Sequence, residues 1–261
     1  MALELNLKGK TVLVTGASKG LGLAAAKGFA AEGCNLRLSS RDTDKLEANA
    51  AALRAAHGVN VRVYPLDLSQ PAARDALISA CPDIDILVNN AGMIPGGSID
   101  DVDDAAWRAG WELKVFGYIH FTRAYLKLMR ARGKGVIVNM IGAAGESLDY
   151  DYAAGAVGNA SLMAFTRAIG SRSIDYGVRV VGINPGPTDT DRIGFLSRKK
   201  AKEMFGDENF YPQFYKNYPL QRPASVDEVT PTVLFLASDL SSYISGAIVT
   251  INGGMTYRRQ R

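Results

Sequence analysis

The stretch Thr11-Val-Leu-Val-Thr-Gly-Ala-Ser-Lys-Gly-Leu-Gly22 decides the fold of this chain. Its apolar and β-branched first half, Thr11–Thr15, predicts a buried strand, and a helical pattern over Leu21–Glu32 follows the glycines. Glycines permit a tight turn and a close approach between the backbone and a ligand. The N-terminus of the following helix offers unpaired N–H groups and the positive end of its dipole. The stretch therefore predicts a phosphate-binding turn between a strand and a helix.

The alternation of strand and helix continues along the rest of the chain. Further strands are predicted over 35–39, 59–66, 84–89, 135–140, 178–184 and 247–251. Helical patterns cover 43–56, 71–80, 103–132, 156–176 and 226–237. Such alternation requires crossover connections, which place helices on both faces of a mostly parallel sheet. We expect an α/β fold, a single Rossmann-type doubly wound parallel sheet of about seven strands.

One segment, 191–220, interrupts this regular pattern, and we expect it to be irregular. It is rich in charged and aromatic residues and directly follows the sixth predicted strand. Ligands of open α/β sheets bind outside the carboxyl ends of the strands. We interpret the segment as a lid over a substrate, the alternative being a pair of surface helices used for packing. The whole chain, 1–261, is expected to form one domain.

The composition excludes several classes of function. The chain of 261 residues is 47% hydrophobic, and its net charge of +4 is a thin surplus without a long basic block, which argues against nucleic-acid binding. Cys34 and Cys81 belong to no metal-ligand or disulfide pattern, so we expect two small core residues and no metal site. No signal peptide or apolar run of membrane-spanning length is present, which predicts a cytoplasmic protein.

The end of the second strand favours one nicotinamide cofactor, NADP(H), over NAD(H). An acidic residue at this place usually binds the ribose hydroxyls of NAD, but this chain has Ser39-Ser40-Arg41. Arg41 is suited to bind a 2′-phosphate, and Lys19 in the glycine turn adds a second positive charge. The alternative is that Arg41 is a solvated surface residue.

Several motifs in the right order resemble the short-chain dehydrogenase/reductase family over nearly the whole chain. They are Thr15–Gly22, Asp67-Leu68, Asn89-Asn90-Ala91-Gly92, Asn184-Pro185-Gly186-Pro187-Thr188-Asp189-Thr190, Arg222-Pro223-Ala224 and Ser245-Gly246 with Asn252-Gly253-Gly254. The glycine turn, the basic residues and this resemblance assign cofactor binding to Gly16, Ser18, Lys19, Gly20, Leu21, Gly22, Arg41, Asp67, Leu68, Asn90, Ala91, Gly92, Asn159, Pro185, Gly186, Thr188 and Thr190. The resemblance also implies a small-molecule substrate and a homo-oligomer, either a dimer or a tetramer.

The family resemblance further implies a catalytic tetrad of Asn, Ser, Tyr and Lys. In that chemistry the Tyr is the acid and base, the Lys lowers its pKa and binds the nicotinamide ribose, the Ser holds the substrate oxygen, and the Asn supports a proton path. Flanking residues place Lys114, Gly142, Gly155 and Asn159 at the Asn, Ser, Tyr and Lys positions. The chain is thus expected to be a divergent member without the tetrad. Choosing Tyr152 as the family Tyr requires a slip of three residues and finds no Lys at the expected spacing.

Replacement groups lie close to these positions in the sequence. Lys114 brings a cation to the altered site, unless its side chain extends to solvent. Tyr152 or Tyr150 is a candidate proton donor, unless both are packing or solvated loop residues, and Asn159 retains hydrogen bonding to a ribose hydroxyl. Three functions stay open: an NADP(H)-dependent oxidoreductase acting on a carbonyl or alcohol, an inactive dinucleotide-binding partner, and a lyase, isomerase or dehydratase.

Overall fold

A twisted parallel sheet organises the molecule. The computed structural model describes residues 4–258. The strands are β1 Thr11–Thr15, β2 Asn35–Ser40, β3 Val61–Pro65, β4 Ile86–Asn89, β5 Gly135–Met140, β6 Val178–Pro185 and β7 Ile248–Ile251. All pairings are parallel, in the order β3-β2-β1-β4-β5-β6-β7. The expected doubly wound sheet of seven strands is confirmed.

The sheet buries both of its faces, which explains its continuous apolar strands. Val12 and Val14 of β1 belong to one buried cluster, whereas Leu13 between them belongs to another. Successive side chains of a strand point to opposite faces, so a strand covered on both sides must be apolar at every position. Helices supply the covering layers on each face.

The α-helices begin and end close to the predicted bounds, with local exceptions. They are α1 Gly20–Ala31, α2 Thr43–His57, α3 Pro71–Ala80, α4 Asp104–Trp111, α5 Gly117–Arg132, α6 Ala153–Ser173, α7 Asp191–Phe205 and α8 Val226–Ala237. Residues of α1, α2 and α8 pack into the first cluster, and residues of α3 and α5 into the second. Helix α6 begins three residues before the predicted start, at Ala153 instead of 156, so Gly155 lies inside it.

The predicted helix 103–132 is wrong as a single α-helix. A π-helical turn, Glu112–Phe116, separates α4 from α5. The side chain of Arg74 in α3, which is 3% exposed, donates to the backbone carbonyl of Glu112 at 3.1 Å and thereby satisfies an oxygen of this turn. A π-turn holds one more residue than an α-turn, and such turns are frequent at functional sites. This one carries Lys114.

Segment 191–220 is helical, which corrects the expectation of an irregular region. Helix α7 occupies its first half, and 3₁₀ turns follow at Glu208–Asn217 and Pro219–Gln221. Phe205 lies 5.9 Å from Phe210 and 5.8 Å from Phe214 between ring centroids, so the aromatic residues form a small apolar cluster of their own. Because the aromatic rings pack on one another, a segment rich in charged and aromatic residues forms regular turns here instead of the irregular region that we expected. In residues 4–258, no helix is long and apolar enough to cross a membrane.

Candidate active site

The glycine turn after β1 is locked to the loop after β4. The side chain of Asn90 donates to the carbonyls of Thr15 at 2.9 Å and Gly16 at 3.1 Å, while the hydroxyl of Thr15 accepts from the backbone of Ala91 at 3.0 Å. Gly16 has a φ of +69°, and a Cβ there would lie 2.9 Å from Cα of Ala91. The turn therefore needs glycine at this position, and the predicted residues of both motifs lie together.

The N-terminus of α1 keeps its N–H groups free for an anion. No side chain caps it, and its first turn holds no acidic residue. By contrast, Asp42 caps α2, and Ser225 forms a capping box with Glu228 at the start of α8. A helix of 12 residues with an open N-terminus and a glycine turn fits a pyrophosphate group.

Polar and basic residues surround the end of β2. Ser40 donates to Ser18 of the glycine turn at 2.8 Å. Burial would raise the pKa of Asp67, but hydrogen bonds from Ser69 and the charge of Arg41 lower it, which places Arg41 beside Asp67. Arg41 is exposed and so accessible to a ligand.

Lys19 faces segment 191–220. Its Nζ lies 3.8 Å from the carboxylate of Asp191, and both side chains are mostly exposed. Its charge also contributes to the lowered pKa of Asp42, mainly an effect of hydrogen bonds from Lys45. Lys19 therefore lies near Asp42, the chain neighbour of Arg41.

The motif after β6 approaches the glycine turn from the other side. Thr188 donates to the carbonyl of Gly186 at 3.0 Å, and Thr190 donates to the carbonyl of Thr188 at 3.3 Å. A Cβ at Gly20 would lie 3.5 Å from the methyl group of Thr190, so the two motifs are adjacent. Leu68, another expected cofactor residue, is only 4% exposed and packs in the core.

Lys114 projects from the π-turn towards the end of β5. Its Nζ donates to the carbonyl of Ile141 at 2.5 Å, and a Cβ on Gly92 would lie 2.8 Å from its Cδ. The side chain does not extend to solvent, so that alternative is not observed. Burial, with a smaller contribution from the charge of Arg192, lowers the pKa of Lys114 to about 7.

Gly142 and Asn159 face each other beside Lys114. A Cβ at Gly142 would lie 3.1 Å from Nδ2 of Asn159, and the φ of +138° at Gly142 disfavours any other residue. Asn159 is 3% exposed, and its Oδ1 has no hydrogen-bond partner among the described residues. A buried acceptor without a partner is costly, so the site fits a ligand that donates a hydrogen bond there, as a ribose hydroxyl does.

Tyr152 folds back over Gly155. A Cβ at Gly155 would lie 2.6 Å from Cε2 of the Tyr152 ring, and closer still to Cζ and Cε1. The aromatic ring thus occupies the space that a side chain at 155 would take. Tyr150, by contrast, is 68% exposed to solvent. Of the two candidate proton donors, Tyr152 is therefore the one whose ring packs against α6.

Two contacts near the site were not predicted. Glu146 accepts hydrogen bonds from Asn184 at 2.9 Å and Thr250 at 2.8 Å, which ties the loop after β5 to β6 and β7. Arg192 donates to the carbonyl of Ile94 at 2.7 Å, across the mouth of the site. Both are long-range contacts to a loop, for which the local sequence carries no signal. Among residues 4–258, no group of three or more His, Cys, Asp and Glu side chains is arranged to hold a metal.

Known proteins resemble this chain along almost its full length. The family model described as enoyl-(acyl carrier protein) reductase matches residues 16–256. An uncharacterized short-chain type dehydrogenase/reductase of Sinorhizobium fredii is 33% identical over 95% of this chain and 98% of its own. L-sorbose reductase from Gluconobacter frateurii, solved with NADPH and L-sorbose, is 31% identical with a TM-score of 0.90 over 98% of this chain and 100% of its own.

An NAD⁺-bound xylitol dehydrogenase is 28% identical to this chain, with a TM-score of 0.88 over 95% of this chain and 100% of the other. The similar structures thus include complexes with both nicotinamide cofactors. The strand order, the glycine turn after β1 and these full-length matches agree with one another. The chain belongs to the short-chain dehydrogenase/reductase family, as the order of its motifs led us to expect.

Proposed function

We propose that the protein is an NADP(H)-dependent oxidoreductase that interconverts a small carbonyl compound and its alcohol, using a rebuilt proton donor. The open N-terminus of α1 and the turn 16–22 would hold the pyrophosphate, and Asn159 would accept a hydrogen bond from the nicotinamide ribose. Pro185, Gly186, Thr188 and Thr190 would border the nicotinamide. When bound, the reduced nicotinamide supplies the hydride.

The preference for NADP(H) rests on two positive charges. Arg41 is exposed beside Asp67, and Lys19 lies near the same segment. A guanidinium binds a 2′-phosphate through charge-assisted hydrogen bonds, whereas the hydroxyl of NAD at that place gains nothing comparable. The dissociation constants of NADPH and NADH test this preference. Tighter binding of NADH would contradict it.

The catalytic positions of this family are altered here. Lys114, Gly142, Gly155 and Asn159 occupy the places of its Asn, Ser, Tyr and Lys, so both hydroxyls that would contact the substrate oxygen are missing. The φ of +138° at Gly142 means that the loop is built for glycine. Tyr152 fills the space above Gly155, and Lys114 provides the cation. In place of the family residues, the site therefore offers Lys114 as an acid and Asn159 as a hydrogen-bonding amide.

Lys114 is the proton donor of the proposed reduction. A bound reduced nicotinamide would supply a hydride, which carries two electrons, to the carbonyl carbon, and the C=O π electrons would move to the carbonyl oxygen. The carbonyl oxygen then takes a proton from Nζ of Lys114, which afterwards regains one from water. An amine with a pKa of about 7 is well matched to this task near neutral pH. Tyr152 would orient the substrate oxygen from the side of α6.

The partly buried amine of Lys114, held at the carbonyl of Ile141 beside Gly142, is the observation that carries this proposal. The test measures NADPH oxidation with a panel of ketones and aldehydes for the wild type and for Lys114→Met and Tyr152→Phe. Turnover that falls about 100-fold or more in Lys114→Met supports the proposal. Tight NADPH binding without turnover would favour an inactive partner, and substrate conversion without net cofactor change would favour a lyase or isomerase. The expected cytoplasmic location, the homo-oligomer and the lid stay predictions.

A further inference from the structure

Arg192 connects α7 to the loop after β4, directly beside the candidate active site. It lies in the first turn of α7, and its Nη2 donates to the carbonyl of Ile94 at 2.7 Å. Ile94 is 1% exposed and packs with Ala154, the neighbour of Gly155 in α6. Although Arg192 is exposed overall, this bond fixes its guanidinium at the mouth of the site.

A second cation shares this place. The side chain of Lys114 lies against Gly92, two residues before the Ile94 carbonyl that binds Arg192, and the charge of Arg192 contributes, after burial, to the lowered pKa of Lys114. Within residues 4–258, no carboxylate comes within 4.0 Å of a side-chain nitrogen of Arg192 or Lys114. Two close cations without an anion repel each other, most strongly where water is partly excluded.

Other cations around the site do have carboxylate partners. Lys200 of α7 lies 3.6 Å from Asp151 in the loop before α6. Asp191 is the chain neighbour of Arg192, yet its carboxylate lies 3.8 Å from Lys19 at the glycine turn. Local acidic residues are therefore directed to other partners, and the positive charge of the Arg192–Lys114 pair remains uncompensated by the protein.

We propose that the substrate carries a carboxylate, bound by Arg192, on the same molecule as the carbonyl that is reduced. This substrate class, an oxo carboxylic acid that becomes a hydroxy acid, rests on the function proposed above. The Nε and Nη1 groups of Arg192 have no hydrogen-bond acceptor among the described residues. A guanidinium presents its donors in a planar fork that matches both oxygens of a carboxylate.

The carboxylate would also prepare the proton donor. An anion next to Lys114 favours the charged form of the amine, because opposite charges stabilise each other at short distance. An acidic substrate thereby raises the fraction of enzyme that holds the proton needed for carbonyl reduction. A neutral ketone lacks this effect and leaves the repulsion between Lys114 and Arg192 in place.

The pyrophosphate of the cofactor is the competing anion, and the geometry favours the substrate. The uncapped N-terminus of α1 already offers its N–H groups to the pyrophosphate. The guanidinium of Arg192 instead donates to Ile94, which follows the Asn90–Gly92 turn and packs with Ala154, the chain neighbour of Gly155. The test therefore measures cofactor binding separately.

The experiment compares Arg192→Gln with Arg198→Gln in the full chain. Arg198 is the matched control, because it lies in the same helix but stacks on the ring of Tyr211, 4.9 Å from its centroid. The probes are 2-, 3- and 4-oxopentanoate and the methyl ester of each. Calorimetry measures their binding to the protein with NADP⁺, steady-state kinetics measures KM with NADPH, and fluorescence measures the Kd of NADPH.

We expect Arg192→Gln to raise the Kd and KM of at least one oxo acid by about 10- to 100-fold, the usual effect of losing a charged hydrogen bond. The values for its ester and the Kd of NADPH should change less than about twofold, and Arg198→Gln should match the wild type. Equal losses for acid and ester would overturn the inference. So would an NADPH Kd that rises with the substitution, which assigns Arg192 to the cofactor.

The same measurements distinguish failure of the proposed reductase function from failure of the carboxylate inference. If no probe oxidises NADPH but the oxo acids bind calorimetrically and lose that binding in Arg192→Gln, the carboxylate site stands and the reductase proposal falls. If neutral ketones are reduced while no oxo acid binds more tightly than its ester, the reductase proposal stands and the carboxylate inference falls.

Discussion

Replacing Gly155 with alanine should displace the ring of Tyr152 without unfolding the protein. The new Cβ would lie 2.6 Å from Cε2 of that ring, and closer to Cζ and Cε1. Carbon atoms pack at about 3.5–4.0 Å, so the ring must retreat by at least about 1 Å. A displacement of about 1 Å in an active site costs up to about 100-fold in rate. Alanine inside a helix is favoured over glycine by about 1 kcal/mol, which offsets part of the packing loss.

The assay combines kinetics with stability. The kcat/KM of NADPH oxidation should fall by about 100-fold in Gly155→Ala, while the free energy of unfolding in urea should stay within about 1 kcal/mol of the wild type. Gly194→Ala is the control, because a Cβ there would meet only Nη1 of Arg198, at 3.4 Å. It makes the same chemical change within α7 and should leave kcat/KM unaltered.

The substitution Tyr152→Phe removes the hydroxyl group but keeps the aromatic ring, so it tests the two contributions separately. If the ring positions the substrate and its hydroxyl contacts the substrate oxygen, both Tyr152→Phe and Gly155→Ala lose activity. Full activity in Gly155→Ala, with the native fold shown by unchanged unfolding, would refute the reasoning, because the ring could then move without consequence.

Three further outcomes follow from the geometry. Since reduction needs the protonated amine of Lys114, kcat/KM should be constant below its pKa of about 7 and fall tenfold per pH unit above it. The residual activity of Lys114→Met should not show this fall at high pH. The same pH profile in Lys114→Met and the wild type would exclude the amine as the proton donor. Arg41→Ala should raise the Kd of NADPH by about 10-fold or more and leave that of NADH within about twofold; equal effects on both would contradict a 2′-phosphate contact. Glu146→Ala should lower the free energy of unfolding in urea by about 1–3 kcal/mol, because Asn184 and Thr250 lose their hydrogen-bond acceptor. Glu146→Gln should lower it by less. No change in Glu146→Ala would show that water replaces the carboxylate.

The sheet was predictable because its strands are short, continuous runs of apolar residues. Strands covered on both faces must be apolar throughout, and Thr11–Thr15 and Gly135–Met140 match their predicted bounds. The helix ends are likewise set by local chemistry, since Asp42 caps α2, Pro71 begins α3, and Gly33 and Gly177 have positive φ angles. Local chemistry determines each of these features.

The π-turn and the position of Tyr152 were not predictable. A single extra residue at Glu112–Phe116 hardly disturbs an apolar pattern of helical period, so 103–132 resembled one helix. Tyr152 has φ −141° and ψ 39°, outside the helix, and its ring reaches Gly155 only because the chain bends there. Spacing along the sequence assigned Gly155 to the tyrosine position but held no information on what fills the space above it.

Segment 191–220 shows a different limit. Its charged and aromatic residues led us to expect an irregular segment, whereas its first 15 residues form the regular helix α7. The contact from Arg192 to Ile94 joins residues 98 positions apart, and only the folded chain reveals it. Long-range contacts of this kind decide the chemistry of the site while leaving the fold unchanged.

The most direct test of the central claim follows deuterium from NADPH in which both hydrogens at C4 of the nicotinamide are replaced by deuterium. The protein is incubated with the labelled cofactor and the panel of oxo acids and ketones, and the products are analysed by mass spectrometry. We predict an alcohol that carries one deuterium at the former carbonyl carbon, formed in equal amount to the NADP⁺ produced. Tight binding of NADPH with no labelled alcohol from any compound, or product formed without consumption of NADPH, would contradict hydride transfer by this site.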